Sequence, residues 1–268
     1  NCAGGVLDFM FTHFPSSAKQ LKKDKGLFQG SRPGVLLGAS IHQLNTLLSD
    51  KLKGAVVLTH DESAHHWRRM LNDYKLVYGI RDAKGLEFKT VIILDFFREI
   101  PSSLQKPWRE LVLGRVAQDN LEHSHPLIGT LLKLLYTGVT RCIEQLFFVE
   151  TKSSTAGDST MRWLTQKDSH NEATFATRNN INDVEAMSMT SDEFVSEGIN
   201  NAELAQAVEA ELDQSLMLLE RAIWCFEQTD NTALAAKARM HHSSILFRLK
   251  LQPPYDERDV MAYALLET

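Results

Sequence analysis

Short apolar runs rich in β-branched residues recur along the first half of the chain. They are Gly34-Val35-Leu36-Leu37, Ala55 to Thr59, Leu76-Val77-Tyr78, Val91 to Asp95 and Leu146 to Val149. Because they are apolar at nearly every position rather than every second one, they predict strands of a parallel sheet covered on both faces. Between them the period lengthens to three and four. Ile41, Leu44, Leu47 and Leu48 follow Ser40, whose hydroxyl suits a helix N-cap. Trp67, Met70 and Leu71 share one face of the segment from Ser63 to Tyr74, and Leu127 to Thr140 reads as a longer apolar helix ending near Arg141. Strands alternating with helices predict an α/β domain over residues 1–150.

This rhythm stops at about residue 151. Lys152 to Ser159 is polar, Asn179 to Asp183 is rich in Asn and Asp, and the run around Asp192 is acidic and rich in Ser and Thr. These features predict a linker over 151–200, with Met161 to Leu164 as one short anchored helix. Residues 201–268 then follow a helical period without strands. Leu212, Leu216, Leu219, Ile223 and Phe226 form one stripe, Asp230-Asn231 breaks it, and Ala233 to Leu249 carries a second. Two amphipathic helices joined by a tight turn predict a small all-α hairpin, ended by Pro253-Pro254.

Composition narrows the function classes. Of 268 residues, 43% are hydrophobic and 24% charged, which is ordinary for a globular protein. The net charge of -5 provides no chain-wide basic field, so contact with nucleic acid would need a local patch. Cys2, Cys142 and Cys225 are far apart and offer neither zinc spacing nor a disulfide framework, and an intracellular, reducing location is expected. The apolar runs are far shorter than the ~20 residues of a membrane span, and the start at Asn1 has no signal-peptide layout, so the chain reads as an excerpt of something longer.

The richest chemistry lies in Arg81-Asp82-Ala83-Lys84-Gly85-Leu86-Glu87-Phe88, a charged loop entering a buried strand. Gly85 permits close backbone approach, Glu87 can accept hydrogen bonds from a ligand hydroxyl, and Lys84 can meet a phosphate. The second string is Val139-Thr140-Arg141, which places a guanidinium at the end of an apolar helix. An arginine there either complements the helix dipole or reaches a transferring phosphoryl group.

Together the two strings resemble motifs V and VI of UvrD/Rep-type superfamily 1 helicases, in order, separation and placement before strands. The resemblance implies a RecA-like parallel sheet, the second half of a P-loop NTPase core. It makes Arg141 the catalytic arginine finger, reaching the γ-phosphate. Glu87 would bind the ribose of ATP, with Gly85 beside it, and Lys84 and Arg81 would contact single-stranded nucleic acid. Asn1 resembles a remnant of motif IV without its arginine. Gly79 and Arg81 stand where the family has Thr and His. The run from His13 to Phe28, with Arg32-Pro33, is similar to large tetratricopeptide and ankyrin repeat-containing proteins with a helicase core. Ala222 to Glu227 resembles the second helix of a tetratricopeptide unit.

No G-x-x-x-x-G-K-[ST] loop occurs in the chain. ATP and Mg²⁺ would therefore be held mainly by an N-terminal RecA-like domain preceding Asn1, and this chain alone is not expected to hydrolyse ATP. The departures at 79 and 81 support a second expectation, a helicase-like scaffold that binds protein partners through its helical C-terminus. Other polar clusters carry less. His60, Asp61, Glu62, Ser63, His65 and His66 read as a loop capping a helix, and Glu122-His123-Ser124-His125 as a solvated loop rather than a metal site. Lys22, Lys23 and Lys25 are too few for a nucleic-acid patch.

Overall fold

A computed structural model describes residues 33–116, 124–165, 174–176 and 188–250. The expectations placed on Asn1–Gly5, on residues 13–32, on Glu122-His123, on Asn179–Asp183 and on Pro253-Pro254 lie outside these residues. The chain divides into two compact units, one ending at Ser188 and one beginning at Met189.

The first unit is α/β. Six strands, β1 (Gly34–Leu37), β2 (Val56–Thr59), β3 (Val77–Gly79), β4 (Phe88–Leu94), β5 (Cys142–Glu150) and β6 (Thr174–Ala176), form one RecA-like parallel sheet in the order β3-β2-β4-β5-β1-β6. Helices α1 (Ile41–Thr46) and α2 (Ala64–Met70) cover one face, where Leu36, Leu44, Leu48, Val57, Trp67, Ile92, Leu94 and Phe147 share a core. Ser40 closes a capping box with Gln43, and α1 continues into a π-helical turn over Leu47–Lys51.

Helices α3 (Ser102–Val112), α4 (Leu127–Val139) and α5 (Thr155–Leu164) complete this unit. Gly138 of α4 lies against Ile93 and Ile80. The buried Trp108 of α3 donates its indole N–H to Thr160 of α5 at 2.9 Å. The expected linker thus begins with a ten-residue helix rather than a short anchored one. Its buried face, Ala156, Gly157, Thr160, Met161 and Leu164, is too small and polar to stand out as an apolar stripe. The hydrophobic pattern also gave no sign of α3, whose buried residues Leu104, Trp108, Leu111 and Val112 flank Pro107.

The second unit contains α6 (Ser191–Ala207), α7 (Leu212–Glu227) and α8 (Thr232–Lys250). The helical region therefore begins ten residues before the expected 201, within the acidic run around Asp192, and holds three helices rather than a pair. Thr190 and Glu193 form a capping box, and the inward positions of α6 are Phe194, Gly198, Asn201 and Ala205, a stripe diluted by a polar residue and a glycine. The expected stripe on α7 packs inward at Leu212, Leu216, Leu219 and Phe226, against Ala235, Ala238 and Ile245 of α8.

Candidate functional site

The two chemistry-bearing strings meet because β4 and β5 pair in parallel, with Phe88 opposite Cys142. The Phe88 amide donates to the Arg141 carbonyl at 2.8 Å, and the guanidinium reaches back the other way. Arg141 donates from Nη1 to the Leu86 carbonyl at 2.9 Å, from Nε to the Thr137 carbonyl at 3.1 Å, and from Nη2 to the Thr140 hydroxyl at 3.1 Å. It thus ties the C-terminus of α4 to the loop before β4, using three of its five N–H donors. Gly85 takes φ of +88°, with no heavy atom near the position a Cβ would occupy. Lys84, Gly85 and Glu87 are exposed beside it.

Arg81 is not part of that group. It opens the same loop at the opposite, carboxyl edge of the sheet, where Asp61 follows β2. The Asp61 carboxylate accepts the Arg81 backbone N–H at 2.9 Å and its guanidinium at 2.5 Å. A Cβ on Gly79 would lie 2.4 Å from Asp61 Oδ1. The two positions that depart from the helicase pattern are therefore one arrangement: Asp61 occupies the space a side chain at 79 would need, and it engages the arginine at 81. The expected capping role of Asp61 to Ser63 is absent, since these residues form a 3₁₀ turn and Ser63 makes no side-chain cap.

The carboxyl ends of β4 and β5 carry a polar network that no sequence motif marks. Asp95 is fully buried at φ of +50°. It accepts the Thr151 amide at 2.6 Å, the Thr151 hydroxyl at 2.7 Å and the Arg98 guanidinium. Glu150 accepts the Phe97 and Arg98 amides at 3.0 and 2.9 Å. Burial pushes the Glu150 carboxyl up to about 8, and the charges of Asp95 and Glu99 add to the rise against those two amides. Trp67 donates to Glu99 at 3.2 Å. His60 stacks on Phe96, ring centres 4.7 Å apart, with Nε2 3.0 Å from the Phe96 carbonyl. A carboxylate ending a strand was the only sequence signal, and it is too common to single out Asp95 or Glu150. Among the described residues, no group of three or more His, Cys, Asp or Glu side chains is placed to hold a metal ion.

Within the second unit, α6 and α8 flank a groove of about 590 Å³ floored by Leu219 and Phe226 of α7. Ile199, Glu203 and Gln206 line one wall, and Leu234, Lys237 and His241 the other. None of the described helices is long and apolar enough to cross a membrane.

Over 138 residues, 48% of its length, the chain is 35% identical to the human protein named TPR and ankyrin repeat-containing protein 1. No protein-family model matches the chain, and no solved structure matches it. The matched stretch is 5% of the human protein, so the chain is similar to a small part of a very large repeat protein.

Proposed function

We propose that this chain is a helicase-like scaffold module of a large repeat protein, with the α6–α8 groove as the surface that receives a protein partner. The observation that carries this reading is the groove itself. It offers an apolar floor, the half-exposed Ile199 on its rim, and charged residues on both walls. Those are the features by which helical grooves seat amphipathic segments. The similarity to a protein named for its repeats supports it, as does the engagement of Arg141 with backbone carbonyls of its own unit.

A second reading has one observation in its favour, the convergence of Leu86 and Arg141 at the amino ends of β4 and β5. In this reading the chain is the C-terminal half of an ATP-dependent superfamily 1 motor. A preceding RecA-like domain holds ATP and Mg²⁺, Arg141 stabilises the transferring phosphoryl group, and Gly85 and Glu87 border the ribose. Lys84 contacts single-stranded nucleic acid, as does Arg81 once released from Asp61.

One pair of variants in the full-length protein separates the two. For the scaffold, Arg141→Ala changes ATP turnover by less than about threefold, and Ile199→Asp removes the partner crosslinked by a benzophenone side chain at position 206. A fall in turnover of roughly 10³ or more in Arg141→Ala establishes the motor instead. A crosslink at 206 that is unaltered by Ile199→Asp rules the groove out.

A further inference from the structure

We propose that the cleft between α3 and α5 is a binding site for a free nucleoside monophosphate. The cleft has a volume of about 600 Å³, within the range of small-ligand sites. The end of α3 and the turn after it form one wall, with Arg109, Leu113 and Gly114. The outer face of α5 forms the other, where Thr155, Asp158, Ser159, Arg162 and Trp163 recur at helical spacing. Behind the cleft, the buried bond from Trp108 to Thr160 joins the two helices.

The charged groups on these walls are not spent on one another. Asp158 and Arg162 stand one turn apart on α5, the spacing at which an acid and a base pair along a helix. Yet no ion pair joins them among the described residues. Asp158 accepts the Ser153 hydroxyl on Oδ2 alone, at 2.5 Å, and the Arg162 guanidinium has no partner there. On the facing wall Arg109 gives Nε and Nη2 to Glu110, at 3.1 and 3.0 Å, and keeps Nη1 free. A carboxylate oxygen and guanidinium N–H groups from both walls are thus available together, beside the half-buried Trp163 and the exposed Leu113.

This set matches a ligand that joins an anion, hydroxyl donors and a planar ring. Guanidinium groups meet phosphate oxygens, a carboxylate accepts from ribose hydroxyls, and an indole packs against a base. An acidic side chain of a peptide offers Asp158 only a like charge. A nucleic-acid strand brings further phosphates towards Asp158 and Glu110, and a single monophosphate does not.

Calorimetric titration of the intact chain with AMP tests the site. Saturable binding with a Kd below about 1 mM is expected, together with a quenching of indole emission that is lost in Trp163→Phe. Adenosine and inorganic phosphate should each bind roughly tenfold or more weakly than AMP, and Arg162→Gln should weaken AMP by roughly tenfold or more. Asp158→Asn should remove the preference for AMP over its 2′,3′-dideoxy form. Both side chains are exposed, so both variants should unfold at the wild-type temperature. The absence of saturable AMP binding overturns the proposal, as does AMP binding unchanged in Arg162→Gln or an undiminished preference in Asp158→Asn. An oligothymidylate that binds more tightly than AMP and depends on Arg162 also overturns it, in favour of a strand.

Discussion

At the scale of single residues, the structure gives Asp61 a role that its sequence neighbourhood disguised. The residue stands in a cluster of histidines and acids that reads as a loop capping a helix, yet its carboxylate serves to anchor Arg81 and fill the space above Gly79. The consequence is a measurable coupling. Gly79→Ala should cost about 1–3 kcal/mol in urea unfolding, because the new methyl forces Asp61 aside. In an Asp61→Ala background the same substitution should cost less than about half as much. Equal costs in the two backgrounds would disprove the coupling. Arg141 and Leu86 were legible individually in the sequence as motif positions, whereas the bond between them was not. It depends on the parallel register of β4 with β5, which brings residues 55 positions apart to the same sheet edge.

Elements were legible in proportion to how far their buried faces are apolar. The strands and α7 announce themselves through continuous or periodic hydrophobic positions. Helices α3, α5 and α6 do not, because a proline, a run of small and polar residues, or a buried Asn interrupts the stripe. The seam between α3 and α5 is secured by one polar contact inside the core, from the Trp108 indole to Thr160. Thr160→Val keeps the shape and removes the acceptor, which leaves a buried N–H unsatisfied. It should destabilise the sheet-bearing unit by about 1–3 kcal/mol, with a change in near-ultraviolet dichroism from Trp108. A loss below about 0.3 kcal/mol would show that the seam rests on packing alone.

At the scale of the whole molecule, a buried proton becomes a pH dependence of folding. Glu150 has a carboxyl at about 8 in the folded state against 4.5 as its ordinary value. The folded chain therefore binds a proton that the unfolded chain releases. This contribution is full below about 4.5, declines as pH rises towards 8, and is constant above. At ~1.4 kcal/mol per unit it amounts to roughly 3–5 kcal/mol. Glu150→Gln should be less stable than wild type at pH 6, since its amide cannot accept both backbone N–H groups, and the gap should narrow steadily to pH 9. A gap of constant size would refute the linkage. The α/β class, the positions of the main strands, the helical character of the C-terminal region and the two charged strings follow from the sequence by itself, because periodicity and residue chemistry are local properties. Tertiary structure alone decided that Arg141 binds Leu86, that Asp61 holds Arg81, that α6 walls a groove, and that Asp95 and Glu150 share a buried network. Each of these joins residues distant in the chain, and their proximity is set by strand register and helix packing rather than by spacing along the sequence.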